Sequence, residues 1–504
     1  MLAAIRSAAL IGIDAYDVVV EVDAAGGLPQ WTLVGLPLGA VKESRERVGA
    51  AIVNSGFTVP PRRITVNLAP ADVRKDGTAF DLPIALGILV ATGQLAPDSV
   101  GRRLFAGELG LDGSIRAIRG ALSIARHASR SDVQGIVIPR ENVDEAARVS
   151  AVSVSAPATL RLLVEELRDG LTVARPSERC GIRANAELDM ADVVGQELAK
   201  RALEIAAAGG HNLLMIGPPG AGKTMLARRL PGILPELTEE ESLEVIAVHS
   251  VAGLLTSDSI VSSVRPFRAP HHSISSAGLI GGGSTPRPGE VSLAHNGVLF
   301  LDEMLEFPRF VLDGLRQPME DGRVIISRVA GSVRFPARFT LVGATNPCPC
   351  GRLGDPTGVC TCSASDVERY ASRMSGPLAD RIDMHVGVGA VPLSELSEPR
   401  RGEGTSEVRA RVVAARATQL DRFENIPGVT CNAHASGRCI DAHSTMAADA
   451  RSLLQGAASS LALSARGYHR VMKVARTIAD LDQSSPIERQ HVAEALRYRP
   501  FRNA

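Results

Sequence analysis

The chain has 504 residues, too many for one hydrophobic core, and a usual domain size of roughly 150 residues favours about three domains. Its 55 Lys and Arg residues balance its 55 Asp and Glu residues, which excludes an overall basic surface and leaves any nucleic-acid contact to a local patch. The most apolar stretch, residues 84–91, is too short to span a bilayer, and residues 1–13 form a poor secretory signal.

The first third of the chain has the pattern of an α+β domain. Strands are predicted in residues 13–22, 31–34 and 64–68, and an amphipathic helix is predicted in 41–54. Residues 82–91 are apolar throughout and form either a buried helix or a strand, and further helices are predicted in 141–170. The polar stretch 174–190, with Pro, Ser and Gly, is typical of a linker.

Several runs in this region resemble the YifB/ComM family of magnesium-chelatase-like AAA+ ATPases. They are Gly-Leu-Pro at 35–37, VKESRERV at 41–48 and TVNLAPAD at 65–72, and the resemblance extends over nearly the whole chain. It implies a multidomain α/β protein with four parts. These are a domain at 1–172 similar to the Lon proteolytic domain (ribosomal S5 domain 2-like), a linker at 173–190, an AAA+ core with a parallel sheet at 191–394, and a helical lid of chelatase C-terminal type at 395–504.

The resemblance also bears on peptidase chemistry. Lon-type sites use a serine nucleophile in a loop like residues 76–79 and a lysine base soon after a later glycine. In this chain the corresponding positions hold Ala79 and Leu122. Neither side chain can attack a carbonyl or accept a proton, so the pair that covalent catalysis needs is missing. We expect a docking or substrate-handling domain and not a peptidase.

A glycine-rich turn lies between an apolar run at 213–216 and a helix-like segment at 225–230, and it has the complete GxxxxGK[ST] spacing. Backbone N–H groups and the helix N-terminus of such a loop bind phosphate, the lysine reaches the β- and γ-phosphates, and the hydroxyl ligates Mg²⁺. We therefore predict ATP and Mg²⁺ as cofactors. The residues of this phosphate loop are Gly217, Pro218, Pro219, Gly220, Ala221, Gly222, Lys223 and Thr224.

Two segments that follow are candidates for contact with a polymer. The Gly-, Pro- and Ser-rich stretch 262–288 is predicted to be an insertion loop, which the resemblance implies is the helix-2 insert facing the pore of a ring. A hairpin predicted in 320–335 matches the pre-sensor-1 hairpin of the family. The arginines of the hairpin either contact DNA or are simply solvated. The candidate contacts in the two segments are Arg265, Arg268, Arg328 and Arg334.

Two carboxylates follow the apolar run 298–301. Such a run suits a central parallel strand that is buried on both faces, and ligands bind at the C-terminal ends of parallel strands. Asp302 is therefore predicted to hold Mg²⁺ through water, and Glu303 is predicted to polarise the attacking water.

Three further residues acquire roles from the resemblance. Asn346, after a predicted strand at 339–343, falls at the sensor-1 position that orients the lytic water. Arg381 resembles the arginine finger that reaches a γ-phosphate held by a neighbouring subunit, with an ion pair inside the chain as the alternative. Arg466, ahead of Arg470, resembles the sensor-2 residue, with a solvated helix face as the alternative. A finger implies a homo-oligomer, and the family implies a hexameric ring.

Seven cysteines, an odd number, are atypical of a disulfide framework, so we expect a cytoplasmic protein. Four thiolates in CxC pairs can bind Zn²⁺ tetrahedrally, although the one-residue spacing is tighter than usual, and free thiols are the alternative. Four sulfur ligands leave no open position, so a structural zinc ion is predicted and not a catalytic one. This cysteine cluster consists of Cys348, Cys350, Cys360 and Cys362. Two histidines that follow each other in another segment, His271 and His272, are interpreted as polar loop residues and not as metal ligands.

Helices predicted in 408–423, 446–453, 464–481 and 488–498 complete the lid. Three functions fit these features. The first is an ATP-driven DNA motor, which in ComM-like proteins moves branched DNA during recombination or DNA uptake. The others are a chelatase motor for metal insertion and a chaperone that threads polypeptide. Chelatase motor subunits lack the Lon-like domain, so we expect a helicase acting on single-stranded or branched DNA, with no membrane partner.

Overall fold

The computed structural model describes residues 2–37, 39–73, 75, 77–176, 188–255, 264–283, 285–328, 331–354, 358–391 and 402–499. These residues form a mixed seven-stranded sheet, a parallel five-stranded sheet and a C-terminal group of helices. The predicted α/β chain with a parallel sheet and a helical C-terminal region is therefore confirmed. In these ranges, no helix has the length and apolarity needed to cross a membrane. Much of the predicted linker lies outside the described residues.

The N-terminal sheet has the strand order β3-β4-β2-β1-β5-β8-β9, and a separate two-stranded ribbon pairs β6 with β7. Alternate side chains of β2 and β4 are buried because successive residues of a strand point to opposite faces. The strands are β1 (Leu2–Ile11), β2 (Asp14–Ala25), β3 (Gln30–Val34), β4 (Arg63–Ala69), β5 (Arg103–Phe105), β6 (Glu108–Leu109), β7 (Ile115–Arg116), β8 (Gly135–Val137) and β9 (Val154–Ser155).

Helix α3 lies at the centre of this domain, and all its residues are buried because it packs against β1, β2 and α2. The apolar segment that the sequence left open between helix and strand is thus a helix. The helices of the domain are α1 (Gly39–Lys42), α2 (Ser44–Asn54), α3 (Asp81–Ala91), α4 (Pro97–Val100), α5 (Ala121–Ala128), α6 (Val143–Ala146) and α7 (Leu160–Asp169).

The second sheet has the order β11-β14-β17-β10-β18, and all neighbouring strands in it are parallel. The C-terminal ends of β10, β14 and β17 therefore lie at one edge, which is where parallel sheets bind ligands. The strands that follow β9 are β10 (Leu213–Ile216), β11 (Phe267–Arg268), β12 (Gly281–Gly282), β13 (Arg287–Pro288), β14 (Gly297–Leu301), β15 (Arg323–Arg328), β16 (Gly331–Pro336), β17 (Phe339–Thr345) and β18 (Met384–Gly387).

The predicted hairpin is confirmed as the antiparallel pair β15 and β16. The predicted insertion loop at 262–288 contains a short strand among its described residues. Its residues Phe267 and Arg268 pair with Val298 and Leu299 and form the edge strand of the parallel sheet. A strand of two residues is too short to produce an alternating pattern in the sequence, so it left no signal.

The C-terminal helices pack directly on the domain that contains the parallel sheet. One hydrophobic cluster joins Leu203 of α8, Val412 of α18 and Ala475 of α21. The helices after α7 are α8 (Glu197–Gly209), α9 (Lys223–Ala227), α10 (Leu230–Ile233), α11 (Glu239–Ala252), α12 (Ser276–Ile280), α13 (Glu290–Leu293), α14 (Arg309–Asp313), α15 (Arg316–Asp321), α16 (Ala364–Ala371), α17 (Gly376–Ala379), α18 (Thr405–Phe423), α19 (Gly437–Ala442), α20 (Ala448–Ser460), α21 (Ala465–Leu481) and α22 (Arg489–Arg497).

The N-terminal domain contacts the domain of the parallel sheet through helix α11. Leu122 of α5 is fully buried in one cluster with Ile246 and Ala247 of α11. Beside them, the hydroxyl of Ser250 donates a hydrogen bond of 2.5 Å to the carboxylate of Glu145. Burial raises the pKa of Glu145, so this polar contact is shielded from water.

Candidate functional site

The phosphate loop follows β10 directly and ends where α9 begins. Gly220 and Gly222 have positive φ angles of 79° and 87°, which glycine adopts at little cost, and they curl the loop ahead of the helix. The ammonium group of Lys223 donates hydrogen bonds to the carbonyl oxygens of Gly217 (2.6 Å) and Pro218 (2.9 Å) and to Oδ1 of Asn346 (3.3 Å). The lysine is thus held inside the loop, at the position where phosphates would bind.

Asp302 and Glu303 follow β14, at the edge of the sheet where the phosphate loop lies. The hydroxyl of Thr224 donates a hydrogen bond of 2.7 Å to Oδ2 of Asp302. A hydroxyl and a carboxylate oxygen at this separation are hard oxygen ligands of the kind that Mg²⁺ prefers, so the residues fit the predicted metal. Burial lowers the pKa of Lys223, while the nearby charges of Asp302 and Glu303 raise it.

A cavity of about 420 Å³ opens between these groups. Its size is within the range of small-molecule sites. The carboxylate of Glu303 is more than half exposed and faces this space, so it is accessible to a water molecule. The cavity is lined by Pro219, Gly220, Ala221, Gly222, Lys223, Thr224, Met225, Asp302, Glu303, Ala344, Thr345 and Asn346.

Arg381 lies at the N-terminal ends of the parallel strands, whereas this cavity lies at their C-terminal ends. It precedes β18, which runs parallel to β10, whereas the phosphate loop follows β10. Within the chain its guanidinium donates to the carbonyl oxygen of Pro377 (2.8 Å) and forms an ion pair with Glu320. Arg381 is therefore directed away from the nucleotide site of its own subunit.

The four thiols of the cysteine cluster converge immediately after Asn346. Their sulfur atoms all lie within 4.8 Å of one another, so the cluster is able to hold a metal ion. The Sγ distances are 3.4 Å between Cys348 and Cys350, 3.7 Å between Cys348 and Cys360, and 3.6 Å between Cys350 and Cys360. A disulfide has an S–S distance of about 2.05 Å, so these cysteines are not joined in disulfides.

Comparison with known proteins agrees with this architecture. Family models described as subunit ChlI of Mg-chelatase, as magnesium chelatase, subunit ChlI, and as its C-terminal region match residues 20–142, 189–396 and 402–499. The chain is 42% identical to the Salmonella typhimurium protein YifB over 99% of this chain and 97% of that protein. It is 44% identical to the competence protein ComM of Haemophilus influenzae over the same shares. The chain belongs to the YifB/ComM family of magnesium-chelatase-like proteins.

A more distant relative covers only part of this YifB/ComM family member. The magnesium-chelatase 38 kDa subunit of Rhodobacter capsulatus is 28% identical over 183 residues, which are 33% of this chain and 52% of that protein. The resemblance stated from the sequence is thus confirmed at the level of the family.

The two sensor-2 candidates have different environments. Arg470 is buried and donates to the carbonyl oxygen of Ile382 (3.0 Å) and to Oδ1 of Asp380 (3.2 Å). It therefore fixes the segment that carries Arg381. Arg466 is exposed in the first turn of α21. Its role as sensor 2 stays a prediction, as do the roles of Asn346 and Arg381.

In the described structure Arg265 and Arg268 both form ion pairs within the chain, and their contact with a polymer stays a prediction. Arg265 forms an ion pair of 2.8 Å with Glu241 and also donates to backbone carbonyl oxygens. Arg268 is held by both oxygens of Glu290, at 2.6 and 2.8 Å. Both charges are neutralised inside the chain. In the hairpin Arg334 is exposed, and the side chain of Arg328 lies outside the described residues.

His272 contacts the nucleotide site, which sequence reasoning missed. Its Nδ1 atom lies 3.5 Å from Oε2 of Glu303, and its ring lies against that of His271 with centroids 4.0 Å apart. The pair of adjacent histidines was the available signal. Its position beside Glu303 depends on the fold, because the two segments are brought together only by the sheet.

Proposed function

We propose that this protein is an ATP-hydrolysing AAA+ motor that forms a ring of six identical subunits, as the family implies. It acts on single-stranded or branched DNA as a ComM-like helicase. The observation that supports it is one cavity lined by Lys223, Thr224, Asp302 and Glu303, with Arg381 at the opposite edge of the sheet. ATP, Mg²⁺ and a structural zinc ion in the cysteine cluster are the cofactors of this proposal.

Each residue of the cavity has a defined task in hydrolysis. Lys223 exchanges the carbonyl oxygens of Gly217 and Pro218 for the β- and γ-phosphates of ATP. Thr224 and Asp302 hold Mg²⁺, which offsets the charge that develops on the phosphates. Glu303 polarises the attacking water, and Asn346 orients that water, because both side chains line the same cavity.

Arg381 completes the site of a neighbouring subunit. It cannot serve the site of its own chain, because the sheet lies between the two. When subunits pair so that this edge faces the next cavity, the guanidinium exchanges Glu320 for the γ-phosphate. Hydrolysis then requires assembly.

The DNA substrate is the least direct step and rests on the relatives. The protein shares 44% identity over nearly its full length with a relative named competence protein ComM, and the family resemblance implies an action on DNA. The 28% match to a chelatase subunit covers only 33% of the chain, which makes metal insertion the weaker candidate. The exposed Arg334 of the hairpin is the contact that we assign to the DNA backbone.

The test is the ATPase rate of the full chain with four-way or forked DNA, with single-stranded DNA and with an unfolded protein, over a range of salt concentrations. Stimulation by branched DNA that decreases steeply with salt is the expected result. Lys223→Ala is the negative control, and Lys42→Ala, which changes an exposed lysine of the N-terminal domain, is the matched control. Stimulation by unfolded protein alone would make the protein a remodelling chaperone.

A further inference from the structure

The cysteine cluster lies against the nucleotide site. Cys348 is fully buried and follows Asn346 by two residues at the end of β17. We call the segment that carries the four cysteines the zinc loop. The structure describes its residues 348–354 and 358–362.

The sulfur geometry fits a tetrahedral metal site. In a tetrahedral zinc site with Zn–S bonds of about 2.3 Å, neighbouring sulfur atoms are about 3.8 Å apart. The three Sγ distances of 3.4, 3.7 and 3.6 Å are close to this value. The backbone N–H of Leu353 also donates to Sγ of Cys348, as expected for a thiolate ligand.

The backbone of the zinc loop touches the phosphate loop at Gly351. This glycine is buried and has a φ angle of +78°. A Cβ atom at this position would lie 2.6 Å from Cδ of Pro219 and 3.9 Å from Cγ of Asn346. The loop that carries Cys348 and Cys350 therefore packs against Pro219 of the phosphate loop and lies near Asn346, the predicted sensor-1 residue.

We infer that the cysteine cluster binds one structural Zn²⁺ and that the zinc loop is a clamp which holds Pro219 and Asn346 in place for ATP hydrolysis. The effect on turnover rests on the proposed ATPase function, whereas zinc binding does not. A displacement of about 1 Å at a catalytic site can cost about 10²-fold in rate, so loss of zinc lowers turnover by a comparable factor.

The first experiment measures metal content in the purified full chain and in the Cys360→Ser/Cys362→Ser variant, with Cys439→Ser as the matched control outside the cluster. We expect one zinc per wild-type and control chain and none in the double variant. Cobalt exchange should give the absorption of a tetrathiolate site. Absence of zinc from the wild-type protein, or iron in its place, would overturn the inference and leave the ATPase proposal intact.

The second experiment separates the clamp from the metal. Gly351→Ala places a methyl group against Pro219, whereas Gly354→Ala imposes a similar backbone strain, at φ +76°, with no atom within 4 Å of the new methyl group. Both variants should retain zinc. We expect Gly351→Ala to lower ATP turnover by about 10²-fold and Gly354→Ala to change it little.

Equal turnover in the two glycine variants would refute the clamp. So would an unchanged rate in the zinc-free double variant, whereas an inactive wild-type chain with stoichiometric zinc would contradict the ATPase proposal instead. If the double variant does not fold, the glycine pair still decides.

Discussion

The phosphate loop and the positions of Ala79 and Leu122 in the N-terminal domain differ in the side chains that they carry and in their exposure. In the ATPase core, charged and polar side chains converge on an open cavity of about 420 Å³. In the N-terminal domain, the positions where a Lon-type enzyme would hold its nucleophile and base carry Ala79 and Leu122, and Leu122 is buried against α11. A position that in such enzymes faces substrate here faces another domain. Leu122 therefore contributes to the packing between the two domains.

This contact extends beyond one leucine. Glu145 accepts hydrogen bonds from Ser250, from the side chain of Asn142 and from the backbone N–H of Leu122. At a second place the turn at Gly12 meets the hairpin, because a Cβ on Gly12 would lie 2.7 Å from the carbonyl oxygen of Arg334. Both helix α11 and the hairpin are thus mechanically connected to the N-terminal domain.

The largest effect is expected at the subunit junction. Arg381→Ala should lower ATP turnover by about 10³–10⁵-fold, the usual contribution of an arginine finger. Steady-state hydrolysis and the molar mass of the assembly are the measurements. Glu320→Ala removes the partner of Arg381 inside the chain but leaves the arginine, so turnover should survive. Equal losses of turnover in both variants would show that Arg381 acts only through its ion pair with Glu320 and not as a finger.

The next effect concerns the water-polarising carboxylate. Glu303→Gln should bind ATP but hydrolyse it about 10²–10⁴-fold more slowly, because an amide cannot polarise the attacking water. Binding of a fluorescent ATP analogue and phosphate release are measured separately. Glu306→Gln changes a carboxylate of the same segment that is paired with Arg373, and it serves as the control. Retained hydrolysis in Glu303→Gln would assign the role to another residue.

The third prediction concerns the free energy of unfolding of the N-terminal domain, which should depend on pH through the pair Arg47 and Asp81. Burial raises the pKa of Asp81 to about 6, against the lowering effect of Arg47, which lies 2.8 Å away. Since the pKa in the folded state exceeds the unfolded value of 3.8, the contribution of Asp81 to stability is greatest below about pH 4 and declines as pH rises to about 6. Arg47→Met leaves a buried charge unpaired and should cost about 3–5 kcal/mol at pH 8 and less at pH 5.

Urea unfolding followed by the fluorescence of Trp31, the one tryptophan of the chain, reports this domain selectively. In the double variant Arg47→Met/Asp81→Asn the difference between the two pH values should vanish. If Arg47→Met is equally destabilised at pH 5 and pH 8, the pair does not act through the buried charge.

The smallest effect is expected at the domain contact. Ser250→Ala removes one donor from the buried carboxylate of Glu145 and should cost about 1–3 kcal/mol. Hydrogen exchange of α5 and α11 measures the loosening. Ser452→Ala is the control, because this exposed serine bonds only to its own helix at Ala448. Similar exchange in both variants would show that the contact does not hold the domains together.

The main polar side chains that line the cavity could be named from the sequence because each part of the candidate site is local in sequence. An apolar run followed by glycines and Lys223, and a second run followed by Asp302, determine which strands carry ligands. Strand β11 left no periodic signal, and the ion pairs of Arg265 and Arg268 depend on partners more than twenty residues away. Sequence reasoning therefore could not show that these two arginines form ion pairs within the chain. The burial of Leu122 likewise depends on how two domains dock.

The opposed positions of the phosphate loop and Arg381 restrict how copies of this chain can associate. If Arg381 serves as the proposed finger, each contact joins unlike faces of two copies and runs head to tail, an arrangement that can close as a ring. Two inactive proteins should therefore rescue each other: Arg381→Ala chains keep a working cradle, and Lys223→Ala chains keep the guanidinium. In a random equal mixture about one contact in four unites the two intact halves, and partial activity should return on mixing alone.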